Sequence, residues 1–155
     1  MNMDVAVITI SDAIFCEEKE DVTGPAVAGK VKDMGFPVTY QNVIPSDTAS
    51  IRDELTDCAD KKKIKLILTL GGTGFSKRDV TLEVTREVVE KEVPGISHLI
   101  MTRALEVTPN AVLSRMTAGI RGRTLIINLP GKEKAALEDF DAVKDVLEHA
   151  MLMLG

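Results

Sequence analysis

The chain is poor in aromatic residues: it has no tryptophan, one tyrosine and four phenylalanines among 155 residues. With so few stacking surfaces and a net charge of −5, it lacks the basic face and ring platforms of a nucleic-acid binder. Cysteine is scarce too. Cys16 and Cys58 lie far apart and form no Cys-x-x-Cys pair, so both read as free thiols. His98 and His149 are the only histidines, and neither belongs to a spacing that holds zinc. Long apolar runs are also missing. Stretches such as Leu125-Ile126-Ile127 fall far short of the roughly 20 residues of a spanning helix. Met1-Asn2-Met3-Asp4 has no basic secretory start, so the expected compartment is the cytoplasm, with no membrane partner.

What remains is the composition of an ordinary globular protein, 45% apolar and 28% charged with the two classes interspersed. Its length predicts one domain, residues 1–155. Val5 to Ile10 is an apolar, β-branched run that reads as a central strand with Ser11-Asp12 at its tip. Thr23-Gly24-Pro25 opens a helix that Gly35 closes. A strand over Pro37 to Ile44 follows, then Pro45-Ser46-Asp47-Thr48, which turns the chain and caps a second helix. Ile64 to Leu70 and Thr124 to Asn128 read as further buried strands. Helices are predicted over Val80 to Glu90 and Gly95 to Leu105, and a closing helix carries Phe140, Val143, Leu147, Met151 and Leu154 on one face. Glu106 to Arg123 receives no assignment. Alternating strands and helices with continuously apolar strands predict a three-layer α/β/α fold of Rossmann-like type around a mostly parallel sheet. Ligands of such sheets sit at the strands' carboxyl ends. Here those ends are Ser11-Asp12, Ser46-Asp47, Gly71 to Asp79 and Asn128 to Lys132.

The loop Gly71-Gly72-Thr73-Gly74, followed by Phe75-Ser76-Lys77-Arg78-Asp79-Val80-Thr81, carries most of the functional information. Glycines allow positive φ and close approach of backbone to a ligand, and a following helix start would aim free N–H groups at negative charge. Two common nucleotide motifs fail here: Lys77 is preceded by Ser76 and followed by Arg78, which breaks the Walker pattern, and Lys77 stands where the dinucleotide fingerprint needs glycine. Structural roles compete with ligand contact throughout. Ser76-x-x-Asp79 fits a capping pattern, Asp47 can cap the second helix, Asp12 can close an Asx turn, and Phe75 is read as packing against the loop.

Ile10-Ser11-Asp12, Glu20 to Pro25, Gly71 to Gly74, Arg78 to Thr81, Pro94-Gly95, Leu113-Ser114-Arg115, Ala118 to Gly122 and Asn128 to Gly131 occur in that order. This ordered set resembles the MogA/MoaB family of molybdenum-cofactor biosynthesis. The resemblance implies a homotrimer or hexamer that binds molybdopterin. It further implies that catalytic members transfer the adenylyl group of ATP to the pterin's terminal phosphate with Mg²⁺, releasing pyrophosphate and serving a downstream metal-insertion enzyme. That chemistry needs carboxylates and cations together. Asp79 and Asp47 are the expected catalytic, metal-side carboxylates, since Mg²⁺ takes one or two carboxylates plus phosphate oxygens and water. Gly71, Gly72, Thr73, Gly74 and Ser76 would cradle phosphate or the pterin's polar edge. Lys77, Arg78, Arg115 and Lys132 would neutralise charge, with Ser114 beside Arg115. Ser11, Asp12, Thr81, Asn128, Pro130 and Gly131 complete the expected binding set. The chain departs from the family pattern at Ser46, where many relatives are acidic, and at Ala13-Ile14, where a polar residue is common. A non-catalytic molybdopterin-binding protein of the same fold is therefore the alternative.

Overall fold

In the computed structural model, which describes residues 1–155, six strands form one sheet in the order β2-β1-β3-β6-β5-β4. The strands are β1 (Val5–Ile10), β2 (Val38–Ile44), β3 (Leu66–Leu70), β4 (Lys91–Glu92), β5 (Ala118–Arg121) and β6 (Thr124–Leu129). Strands β2, β1, β3 and β6 run parallel, whereas β5 is antiparallel to β6 and to β4. Their register brings the carboxyl ends level: Ile10 pairs with Ile44, Thr9 with Leu70, and Leu70 with Leu129. The rim anticipated from the strand tips therefore exists.

Helices cover both faces, as alternation of strand and helix requires. α2 (Thr23–Asp33), α5 (Pro94–Leu105) and α6 (Glu133–Met153) pack on the face presenting Val5, Val7, Leu66, Leu68, Leu125 and Ile127. α3 (Thr48–Thr56) and α4 (Thr81–Val88) pack on Ala6, Ile8, Ile10, Ile67 and Ile126. A four-residue α1 (Asp12–Phe15) follows β1, a π-helical turn (Asp57–Lys61) extends α3, and a 3₁₀ turn (Pro109–Leu113) follows α5. No helix is long and apolar enough to cross a membrane.

Three details differ from the sequence reading. The residues Glu106 to Arg123 hold the 3₁₀ turn and β5, and the antiparallel edge β4-β5 is an addition to the parallel sheet. β2 is an edge strand whose residues alternate in burial, because only one of its faces and one of its edges is covered. β6 continues one residue past the expected Asn128, so Leu129 is a sheet residue paired with Leu70.

Helix α6 buries one acid inside the fold. Asp139 is 5% exposed and has no cation beside it, and burial pushes its carboxyl up to about 7, with Glu138 adding repulsion. Between about pH 4 and about pH 7 the unfolded chain ionises this group while the folded chain keeps its proton. Stability therefore falls with rising pH across that window and levels off above it. Asp139→Asn, an isostere of the protonated acid, is expected to gain about 4 kcal/mol at pH 8 and almost nothing at pH 4. Urea unfolding at the two pH values checks this, and an equal change at both would remove the assigned cause.

Candidate active site at the carboxyl rim of the sheet

The glycine loop is held from behind by two residues, each through its backbone amide and its side chain. The Thr81 hydroxyl donates to the Gly71 carbonyl at 2.9 Å, and the Thr81 amide donates to that of Gly72 at 3.3 Å. Arg115 takes the next two: its amide donates to the Thr73 carbonyl at 3.0 Å and its Nε to the Gly74 carbonyl at 2.9 Å. Four successive carbonyls are thus engaged on one side. In a trans peptide the following N–H points the opposite way, and the chain has no cis bonds. The amides of Gly72, Thr73, Gly74 and Phe75 accordingly face away from these clamps, and none donates to an acceptor in the protein. Gly71 and Gly72 have φ of 111° and 70°, and a Cβ at either would collide with the Ile10 carbonyl or the Thr81 hydroxyl.

This arrangement reassigns several expected ligand contacts. Thr81 is fully buried and its hydroxyl serves the loop. Arg115 also donates to the Asp79 carbonyl and to Glu83 Oε2, each at 2.6 Å, so its guanidinium braces the loop instead of standing free for phosphate. Asn128 is completely buried: its amide nitrogen donates to the Thr69 and Thr85 hydroxyls, and its carbonyl oxygen accepts from the Thr117 amide. It ties β6 to β3 and α4, and nothing is left for a ligand. Helix α4 starts only at Thr81, whose amide is spent on Gly72, so the expected helix-start amides are replaced by those of the loop. Phe75 is 73% exposed rather than packed, because the Arg115 clamp grips backbone and leaves that side chain outside.

The remaining rim residues fall into two groups. Arg78 grips Asp12 through two bonds of 2.9 and 2.8 Å, and Asp12 also accepts from the Ser46 amide at 2.9 Å. Those contacts hold the Asp12 carboxyl below its ordinary range. Ser11 caps α1 by accepting from the Ile14 amide. Asp47 caps α3 by accepting from the Ser50 amide and hydroxyl, each at 2.7 Å, contacts that lower its pKa with help from Arg78. Asp79 Oδ2 accepts from the Ser76 amide and hydroxyl at 2.9 and 2.8 Å, while Oδ1 accepts from no protein group. Lys77 and Lys132 have no carboxylate partner and are exposed, so they are the unclaimed cations of the rim. Ser114 lies half-buried just before Arg115.

A feature absent from the expected set is the start of α2. Asp21 accepts from the Gly24 amide at 2.9 Å and from the Thr9 hydroxyl at 2.8 Å, and Thr23 donates to the Gly131 carbonyl at 2.8 Å. Gly131 in turn lies against Gly71, where a Cβ would come within 3.3 Å of its Cα. Pro130-Gly131 thus seats the β6 tip on the glycine loop. The signal was present in Asp21-x-x-Gly24, a short capping pattern ahead of Pro25. Beside the rim a cleft of about 730 Å³ opens between α1, β2 and α3. Asp53, Glu54, Asp57 and Asp60 line it, so its field repels phosphate and favours the glycine loop as the anion's seat.

The family model described as "Probable molybdopterin binding domain" matches residues 6–149. The chain is 40% identical over 96% of its length to the molybdenum cofactor synthesis protein cinnamon of Drosophila melanogaster, of which it spans 25%. It is 35% identical over 97% of its length to the molybdopterin adenylyltransferase of Helicobacter pylori and spans 88% of that protein. The crystal structure of the molybdopterin biosynthesis enzyme MoaB from Thermus thermophilus superposes with a TM-score of 0.93 at 42% identity, covering 98% of this chain and 96% of the other. Sequence and fold agree: the chain belongs to the MogA/MoaB family of molybdenum-cofactor biosynthesis.

Proposed function

We propose that the protein adenylylates molybdopterin. The run of four unpaired amides from Gly72 to Phe75 carries this reading, because a phosphorylated ligand is what such a run of backbone donors accepts best. Lys77 and Lys132 add mobile positive charge without a competing carboxylate. The pterin's terminal phosphate oxygen attacks the α-phosphorus of ATP, the bond from that phosphorus to the bridging α–β oxygen breaks, and pyrophosphate leaves. Two anions must meet in line for this, so orientation and charge screening are the protein's main contributions. The loop amides hold phosphate oxygens, and the Arg78–Asp12 pair fixes the neighbouring tip.

A magnesium ion fits the donor set. Asp79 Oδ1 is free of protein donors and Asp47 is bonded to no cation, which matches a cation held by one or two carboxylates plus phosphate oxygens and water. Bound there, it would screen the charge between the reacting phosphates. Exposed Leu105, Val107, Val112 and Leu113, clustered at the end of α5 and the 3₁₀ turn, support assembly as a homotrimer or hexamer.

Incubating the protein with molybdopterin, ATP and Mg²⁺ tests the reading. Adenylyl-molybdopterin and pyrophosphate are expected in equal amounts. Calorimetric binding of molybdopterin without pyrophosphate release would instead favour the binding-only alternative, which Ser46 supports by placing a buried hydroxyl where the family resemblance leads one to expect a carboxylate.

A further inference from the structure

Of the five aromatic side chains, Phe140 is buried in the core, Phe36 packs against the same cluster, and Tyr40 packs against the cluster on the opposite face of the sheet. The other two, Phe15 and Phe75, are exposed, at 51% and 73%. Phe15 lines the cleft that Asp53, Glu54, Asp57 and Asp60 make hostile to phosphate. Phe75 stands on the glycine loop.

Single exposed apolar side chains are common, so exposure alone assigns no role. The backbone beneath Phe75 supplies the reason for one. Its amide is the last of the four that donate to no protein acceptor. The Gly74 carbonyl before it is gripped by Arg115 Nε at 2.9 Å, and the Ser76 amide after it is gripped by Asp79 Oδ2 at 2.9 Å. Both peptide planes that meet at the Phe75 Cα are therefore pinned, and the phenyl stands on a fixed base. A ligand oxygen accepted by the Phe75 amide lies about 2.9 Å from that nitrogen, and the phenyl's Cβ is about two covalent bonds from the same atom. Any phosphate seated on the loop is thus placed beside the ring.

We infer that Phe75 is the stacking platform for the planar heteroaromatic ring of the phosphorylated ligand, and so sets the loop's preference for ring-bearing phosphates over bare ones. This rests on the loop amides holding phosphate, as in the adenylylation reading, and adds what recognises the rest of the molecule. ATP and molybdopterin both carry a flat nitrogen heterocycle, and such a ring stacks on a phenyl with centroids about 4.5–7 Å apart. A polyphosphate without a ring gains nothing from Phe75.

Separate calorimetric titrations of the full protein with ATP, with molybdopterin and with inorganic triphosphate test this. Phe75→Ala is expected to weaken ATP, molybdopterin or both at least about tenfold and to leave inorganic triphosphate within about twofold of wild type, the ligand affected naming the ring that stacks. Phe75→Trp introduces the chain's sole tryptophan. It should restore the affinity lost in Phe75→Ala, and its emission should fall with the affected ligand but not with inorganic triphosphate. Equal weakening of inorganic triphosphate would make Phe75 a prop of the loop and overturn the inference. So would unchanged binding of ATP and molybdopterin alike, or a change in the assembly size of Phe75→Ala on gel filtration, which would put the phenyl in a subunit contact. If wild type binds none of the three, the phosphate seat itself is lost and this inference with it, whereas triphosphate binding with no effect of Phe75 on the ringed ligands sinks the inference alone.

Discussion

Replacing Arg115 with alanine is expected to cost about 3 kcal/mol of folding stability, or roughly 6–12 °C in melting temperature, and to abolish ligand binding at the glycine loop. The side chain makes three bonds from one planar fork, to the Gly74 carbonyl, the Asp79 carbonyl and Glu83. Two of these are to backbone that has no alternative donor, and bonds from a charged donor are worth about 1.5–3 kcal/mol each before water recovers part of the loss at a half-buried site. Arg115→Lys should recover less than half of the stability, because an ammonium cannot span three acceptors set for a guanidinium. The functional effect follows from the geometry. Once the Gly74 carbonyl is released, its peptide plane can rotate and the Phe75 amide no longer holds a fixed direction, while the Thr73 carbonyl keeps its bond from the residue-115 amide. Urea unfolding and ATP titration of the same variants check both halves. A stability change under about 0.5 kcal/mol would show that the loop keeps its shape without the clamp.

The Arg115 clamp also shows which part of this protein the sequence makes visible. Three of the four parallel strands were legible because Val5–Ile10, Leu66–Leu70 and Thr124–Leu129 are buried on both faces, a pattern that only a covered sheet uses. The rim followed, since polar and glycine-rich segments stand directly after those runs. The edge was hidden because β4 is two exposed residues and β5 is four, and both owe their strand geometry to pairing with β6 rather than to any period of their own. Its one local mark was Gly122, at φ 58° in the two-residue turn Gly122-Arg123. Site residues were legible as types but not as commitments. Arg78 is 66 positions from Asp12 and Arg115 is 41 from Gly74, so which cations remain free is decided by pairings that no local pattern encodes. Asn128 failed for the same reason: in sequence it is a polar strand tip, and only the fold reveals Thr69, Thr85 and Thr117 around it.

Asp79 stands at the point where a structural and a chemical role overlap, and two substitutions separate them. Its Oδ2 secures the Ser76 amide and hydroxyl, which is a capping function, while Oδ1 is unclaimed. Asp79→Asn keeps an oxygen acceptor for Ser76 and removes the charge. It should unfold within about 0.5 kcal/mol of wild type yet turn over at least about 100-fold more slowly, with a raised requirement for Mg²⁺, because a neutral amide is a poor ligand for a hard divalent cation. Ser76→Ala makes the opposite change: it deletes one of the two bonds to Oδ2 and leaves the carboxylate intact. A loss of about 0.5–1 kcal/mol of stability with turnover reduced only a few-fold is the expected result. If the carboxylate served the loop alone, the order would invert, with Asp79→Asn near wild-type rate at every Mg²⁺ concentration and Ser76→Ala the slower enzyme. Rates measured across a Mg²⁺ series for both variants, alongside their urea midpoints, distinguish the two orders.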